Sequence, residues 1–214
     1  MESAFRYAYL HGFASSSKAR KGQYLAARFA EMGLTLELPD LNRPSFEKLT
    51  FTKSLEVIDE LDAEDERPWR FIGSSMGGYL AARWASVNPD RVDRLVLLCP
   101  GFALAQRWPQ LVGPRRMERW EREGELRLPG PQGEMAPVHW GFIEDARNHP
   151  PVPEVSCETI IIHGRRDPTV PIESSRDYAA RRNHVELYEV DDMHSLIDSV
   201  EYIEKRIFEF FEIR

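Results

Sequence analysis

The stretch WRFIGSSMGGYLAARWA, residues 69–85, decides how the rest of the chain is read. It passes from a short apolar run, RFIG (70–73), through two serines and two further glycines into an alanine-rich helical pattern that continues to about Val87. Gly73, Ser75 and Gly77 fit the spacing G-x-S-x-G, which has mechanical meaning where a strand turns sharply into a helix. Such a turn strains the backbone of the central serine and lifts its hydroxyl clear of the sheet. It also aims a helix N-terminus at any negative charge that forms beside it. Side chains larger than hydrogen at 73 and 77 would collide with neighbouring backbone. Ala81, Ala82 and Ala85 let the helix lie close on the sheet. The bland alternative is a glycine-rich turn with a bystander serine, so the reading needs partners elsewhere.

Outward from that stretch, short apolar runs alternate with helical patterns. FRYAYL (5–10), LTLEL (34–38), RFIG (70–73), RLVLLC (94–99), TIIIHG (159–164) and VELYEV (185–190) read as strands. KGQYLAARFAEMG (21–33), LTFTKSLEVIDELD (49–62), PIESSRDYAARR (171–182) and LIDSVEYIEKRIFEFF (196–211) read as helices, the last with Ser195 and Asp198 at N-cap-like spacing. The alternation predicts crossover units and an α/β fold: about six mostly parallel strands with helices on both faces. The continuous runs RLVLL and TIII suit strands covered on both sides. In such sheets ligands bind beyond the C-terminal strand ends.

Residues 102–156 break the alternation. They are rich in proline, show no clear strand, and carry Trp108, Trp120, Trp140, Phe142 and Ile143. Within a single domain spanning 1–214, this segment is expected to form a lid or cap insertion with a short helix or two. Trp108, Trp140 and Phe142 either line a substrate pocket or pack the insertion onto the core; both readings stand. Arg107, Arg115, Arg116, Arg119, Arg122 and Arg127 interleave with glutamates at 118, 121, 123 and 125, which favours a solvated helix face over an anion site.

Composition bounds the function. The 214 residues are 42% hydrophobic and 29% charged, with a formal net charge of -7. That sign disfavours nucleic acid as a partner. No apolar run approaches the roughly 20 residues of a membrane span. The N-terminal residues have neither a basic region nor a long apolar one, so the expected location is cytoplasmic. Cys99 falls at a C-terminal strand edge and Cys157 at an N-terminal one, too far apart to bridge; free thiols suit a reducing compartment.

A serine hydroxyl needs a base, and the base needs a third group to orient it. Asp167, in IIIHGRRDPTVP, follows the fifth strand, and His194, in VELYEVDDMHSL, follows the sixth. Both belong to loops at the sheet edge that carries Ser75, in the order serine, acid, histidine. Asp191 and Asp192 read instead as solvated loop charges or turn formers, and His163 as a structural hydrogen-bonding group. For a developing oxyanion, the backbone N–H groups of Met76 and of Phe13, which follows Gly12 in the loop after the first strand, are the expected donors.

The pieces LHGFASS, GSSMGG, HGRRDPTVP and DDMHSL resemble, in order, those of the α/β-hydrolase superfamily of serine hydrolases. The resemblance spans nearly the whole chain, and its closest likeness is to the compact YqiA-type esterases of bacteria. It implies Ser75 as nucleophile, His194 as general base and acid, Asp167 as orienter, no metal and no cofactor. With only four residues before the first strand, the hairpin that opens many larger members is expected to be missing. The activity implied is hydrolysis of a small-molecule ester or thioester. Carbon–carbon bond hydrolysis or small-peptide amidase chemistry on the same residues, or a non-catalytic ligand-binding protein of this fold, are the alternatives. Oligomeric state is not legible.

Overall fold

The six apolar runs form one sheet in the computed structural model, which describes residues 3–214. In chain order the elements are β1 (Arg6–Leu10), α1 (Arg20–Glu31), β2 (Leu36–Glu37), α2 (Phe51–Asp62), β3 (Trp69–Ser74), α3 (Met76–Val87) and β4 (Val92–Leu98). There follow α4 (Leu104–Val112), α5 (Pro114–Glu123), β5 (Glu125–Pro129), β6 (Met135–His139) and α6 (Gly141–Arg147). The chain then returns to the sheet through β7 (Glu158–Gly164), α7 (Ile172–Ala180), β8 (Val185–Val190) and α8 (Val200–Phe211).

The strand order is β2-β1-β3-β4-β7-β8, and every neighbouring pair is parallel. Parallel neighbours need crossover connections, which the helices provide. Side chains alternate between the two faces, as the period of a strand requires. Leu95 and Leu97 of β4 pack with residues of α2, α3 and the 102–156 segment. Val96 and Leu98 pack with Leu25 and Phe29 of α1 and Ile203, Ile207 and Phe211 of α8. The sheet is therefore apolar on both sides, as the unbroken runs RLVLL and TIII require.

Local chemistry sets several boundaries. Thr50 caps α2, its Oγ1 accepting from the Lys53 amide at 3.1 Å, one of the donors a helix start leaves open. Gly33, at φ +71°, closes α1 in the left-handed conformation common there.

Three sequence expectations need correction. The run LTLEL contributes only the two-residue edge strand β2. The last helix starts at Val200 rather than 196, because Leu196 sits at φ +52° and cannot continue a helix. Neither Ser195 nor Asp198 caps it; Asp192 shapes the preceding loop instead, accepting from the amides of Met193 (2.7 Å) and Ser199 (3.0 Å). Of the two readings of Asp192, solvated charge or turn former, its 3% exposure and these two amide bonds select the turn former.

The third correction concerns 102–156. This segment contains three helices and a β-hairpin, β5 pairing antiparallel with β6 from Glu125↔His139 to Pro129↔Met135. Pro129 and Pro137 disguise it in the sequence. A two-stranded sheet has two outer edges, and a proline there forfeits no ladder bond. Trp120 is fully buried, and its indole N–H donates to the Val138 carbonyl at 2.8 Å. The predicted arginine face is exposed at 115, 116, 119, 122 and 127 but not at 107, which turns inward.

Candidate active site

The turn between β3 and α3 has the strain its sequence predicts. Ser75 sits at φ +53°, ψ −117°, outside the region L-residues prefer. Its amide donates to the Leu98 carbonyl at 2.9 Å, and its own carbonyl accepts from Gly101 at 2.9 Å and Tyr79 at 3.1 Å. A Cβ on Gly77 would lie 2.1 Å from the Leu10 carbonyl oxygen, and one on Gly73 would lie 2.5 Å from that of Gly77. The strain is thus held by β1 and β4 on either side of the turn.

The loops after β7 and β8 bring the two other predicted residues to Ser75. His194 Nε2 lies 2.9 Å from Ser75 Oγ, and His194 Nδ1 lies 2.6 Å from Asp167 Oδ2. A carboxylate only accepts, so Nδ1–H donates to Asp167. Nε2 is then the unprotonated nitrogen and accepts the Ser75 hydroxyl proton. Asp167 is buried at its carboxylate while a quarter of the His194 side chain reaches solvent.

Asp167 is gripped at both oxygens. Oδ1 accepts from the amides of Thr169 (2.8 Å) and Val170 (2.9 Å). Oδ2 meets His194 and, at 3.2 Å, His163 Nε2. Burial pushes this carboxyl up, but the hydrogen bonds from His163, His194 and the Val170 amide outweigh it and hold it well below the usual carboxylate range, so it is ionised. Burial also pushes the neighbouring Cys99 thiol up to about 12, leaving it a protonated, inert thiol.

The residues expected to donate to an oxyanion lie on the two segments next to Ser75. A Cβ on Gly12 would lie 3.7 Å from Ser75 Oγ, so the loop after β1 runs directly beside Ser75. Phe13 follows it. Met76 is the first residue of α3, and the first N–H groups of a helix have no partner within it. His11 anchors the loop: its Nε2 accepts from the Leu41 amide at 3.0 Å, so Nδ1–H donates to the Gly12 carbonyl at 2.9 Å. Burial lowers its pKa and favours this neutral form.

The aromatic residues of the insertion are enclosed rather than solvent-lining. Trp108, Trp140 and Phe142 are 5%, 7% and 0% exposed. Trp108 and Phe142 close on the Phe13 ring at 5.1 and 5.3 Å, and Trp140 stands against Trp120 at 5.8 Å. Two contributors were missed in the sequence. Arg107 donates to the Thr169 carbonyl at 2.6 Å, fixing the loop that carries Asp167. His163 is the structural hydrogen-bonding group its sequence suggests, bonded to Ser175 and the Val170 carbonyl, and it also touches the Asp167 carboxylate, which the sequence does not show. Both depend on a turn of chain direction that no local pattern encodes.

Cys99, His163 and Asp167 bring potential ligand atoms within 4.8 Å of one another. Both Asp167 oxygens are already engaged by N–H groups and the thiol is protonated, so this donor set is poor for a cation. No helix among the described residues is long and apolar enough to cross a membrane.

Comparison with known proteins agrees with this architecture. The chain is similar to the palmitoyl-protein thioesterase ABHD10, mitochondrial, of Homo sapiens, 30% identical over 134 residues, 59% of this chain and 42% of that protein. It spans less than two thirds of the length of these curated relatives. Among solved structures it superposes on alpha/beta hydrolase domain-containing protein 10 from mouse, with TM-score 0.77, 21% identity, and coverage of 96% of this chain and 89% of that one. Est1E from Butyrivibrio proteoclasticus, solved with ferulic acid, matches at TM-score 0.79 and 18% identity over 98% of this chain and 88% of that one. At these identities the likeness shows the fold, that of the α/β-hydrolases. A family profile described as "Uncharacterised protein family (UPF0227)" matches residues 6–212, and the chain belongs to that family.

Proposed function

We propose that this chain is a serine hydrolase that cleaves small carboxylic esters or thioesters through an acyl-enzyme on Ser75. The observation that carries the reading is the unbroken line from Ser75 Oγ to His194 (2.9 Å) to Asp167 (2.6 Å). His194 takes the serine proton as Oγ attacks the carbonyl carbon. The oxyanion settles on the N–H groups of Met76 and Phe13, where preorganised donors are worth most. His194 then protonates the departing alcohol or thiol, and later activates the water that frees the acid.

A cleft of about 690 Å³ opens where the β1 loop continues past Phe13, lined in part by Ala14, Ser16, Lys18, Asn42 and Gln132. In this reading it receives the part of the substrate beyond the carbonyl. The 102–156 segment acts as a cap, and Trp108 and Phe142 serve the site by bracing Phe13, with Trp140 packed behind them. Two free cysteines support a reducing, cytoplasmic setting.

A fluorophosphonate probe should label Ser75. Ser75→Ala should abolish labelling and lower p-nitrophenyl ester turnover by about 10⁴–10⁶-fold. Turnover retained in that variant overturns the reading.

A further inference from the structure

His163 is fully buried at the end of β7, and the groups around it fix its protonation. Its Nε2 lies 3.0 Å from the Val170 carbonyl oxygen and 3.2 Å from Asp167 Oδ2. Both neighbours are acceptors, so Nε2 must carry a proton directed between them. Its Nδ1 lies 2.7 Å from Ser175 Oγ on α7, and the serine hydroxyl donates to it. A donor at Nδ1 draws electron density from the ring and strengthens Nε2–H as a donor. Asp167 Oδ2 therefore faces two imidazole N–H groups, from His194 and from His163, neither of which exchanges roles with the other.

We propose that His163 is a positioning residue for the site: its N–H fixes Oδ2 of Asp167 and, by taking a share of that oxygen's charge, keeps His194 less basic than Asp167 alone would make it. This rests on the reading of Ser75, His194 and Asp167 as the reacting line. A base works best with its pKa near the working pH, and a buried carboxylate serving one imidazole alone would bias that imidazole toward the charged form. The other charged and titratable groups about the pair are few. Arg107 approaches Asp167 from α4, the Cys99 thiol from the end of β4, and buried Asp192 lies on the His194 loop. Lys21 of α1 interacts with Cys99 and Asp192. Of these, the Cys99 thiol also hydrogen-bonds to Asp167, and it stays protonated, so it is a weak neutral donor beside the imidazole N–H of His163.

The test reads the imidazoles directly by ¹H–¹⁵N NMR titration, with no substrate present. In the unaltered chain, His163 should show the Nε2–H tautomer. In His163→Phe the His194 pKa should rise by about 0.5–1 unit, and the acid limb of kcat/KM should move up with it. His163→Gln, whose side-chain amide can again direct an N–H at Oδ2, should bring the His194 pKa back toward its original value. If His163→Phe does not fold, Ser175→Ala keeps the ring and removes its Nδ1 partner; a smaller rise is expected. A His194 pKa that stays put or falls in the folded variants, whatever happens to Tm or kcat, overturns the proposal, as does an Nδ1–H tautomer for His163. Because the titration needs no turnover, it remains readable if Ser75→Ala shows that the esterase reading itself is wrong.

Discussion

At the rim of the sheet, Ser75, Asp167 and His194 are held by directional contacts: a strained φ, paired amides at 2.8 and 2.9 Å, and imidazoles at fixed nitrogens. In the 102–156 segment that lies against it, Trp108, Trp120 and Phe142 are held by ring packing at 5.6 to 6.5 Å. The rim is partly open to solvent and the insertion's rings are buried, and the two tolerate change differently. A hydrogen-bonded line fails when one donor or acceptor is exchanged. A packed cluster loses stability in proportion to the volume removed and keeps its shape. Changes at the rim should therefore cost rate far more than stability, and changes in the insertion should cost stability far more than rate.

The sharpest way to break this contrast is Asp167→Asn. It keeps the shape but presents an amide to His194 and favours the wrong tautomer. We expect kcat to fall by about 10⁴-fold, with circular dichroism unchanged at 25 °C; unaltered kinetics would reassign the acid. The same variant carries a pH signature. The Asp167 carboxyl is held low in the folded chain, so its unfolded form binds the proton more readily. Its contribution is fully present above the unfolded carboxylate value of about 3.9 and is lost as pH falls from there toward the folded value. The gap in Tm between the unaltered chain and Asp167→Asn should be widest at neutral pH and narrow below about pH 4.

The opposite arm is Trp120→Ala. Trp120 is fully buried and donates to Val138, so its removal should cost about 3–5 kcal/mol in denaturant unfolding. The protein that remains folded should keep kcat/KM within about tenfold, since Trp120 reaches the site only through Trp108 and Phe142. A loss of rate as large as that of Asp167→Asn would erase the distinction between the two regions.

The same contrast explains what the sequence could disclose. Gly73, Ser75 and Gly77 are legible because only glycine fits where a Cβ would meet backbone at 2.5 and 2.1 Å. Asp167 and His194 are legible because strand ends in a parallel sheet share one edge. His163 is visible as a residue but not as a participant, since its part depends on a 3.2 Å approach to one oxygen. For the same reason the sequence leaves open whether Asp192 is solvated or forms a turn: its burial comes from the loop folding around it. The hairpin β5–β6 escaped because Pro129 and Pro137 mask strands whose only requirement is one paired edge. Aromatic packing has no fixed spacing, so the insertion's composition announced a cluster and left its partners unnamed.

Within the insertion the contrast can be carried down to two arginines of one sequence cluster. Arg107 turns inward to the Thr169 carbonyl. Arg119 points outward to Glu123, Nε to Oε2 at 2.6 Å, with side chains 63% and 41% exposed. The short distance is no guide to its worth: an exposed pair on a helix gains little, because water and salt screen it and two long side chains must be ordered. Arg119→Met should change the unfolding free energy by no more than about 0.5 kcal/mol, with ester turnover unaffected. Arg107→Met removes a donor from the loop that carries Asp167 and should lower kcat while leaving KM for a small ester nearly unchanged. If the two substitutions act alike, orientation within the insertion does not matter, and the rim must hold Asp167 by its own amides and histidines alone.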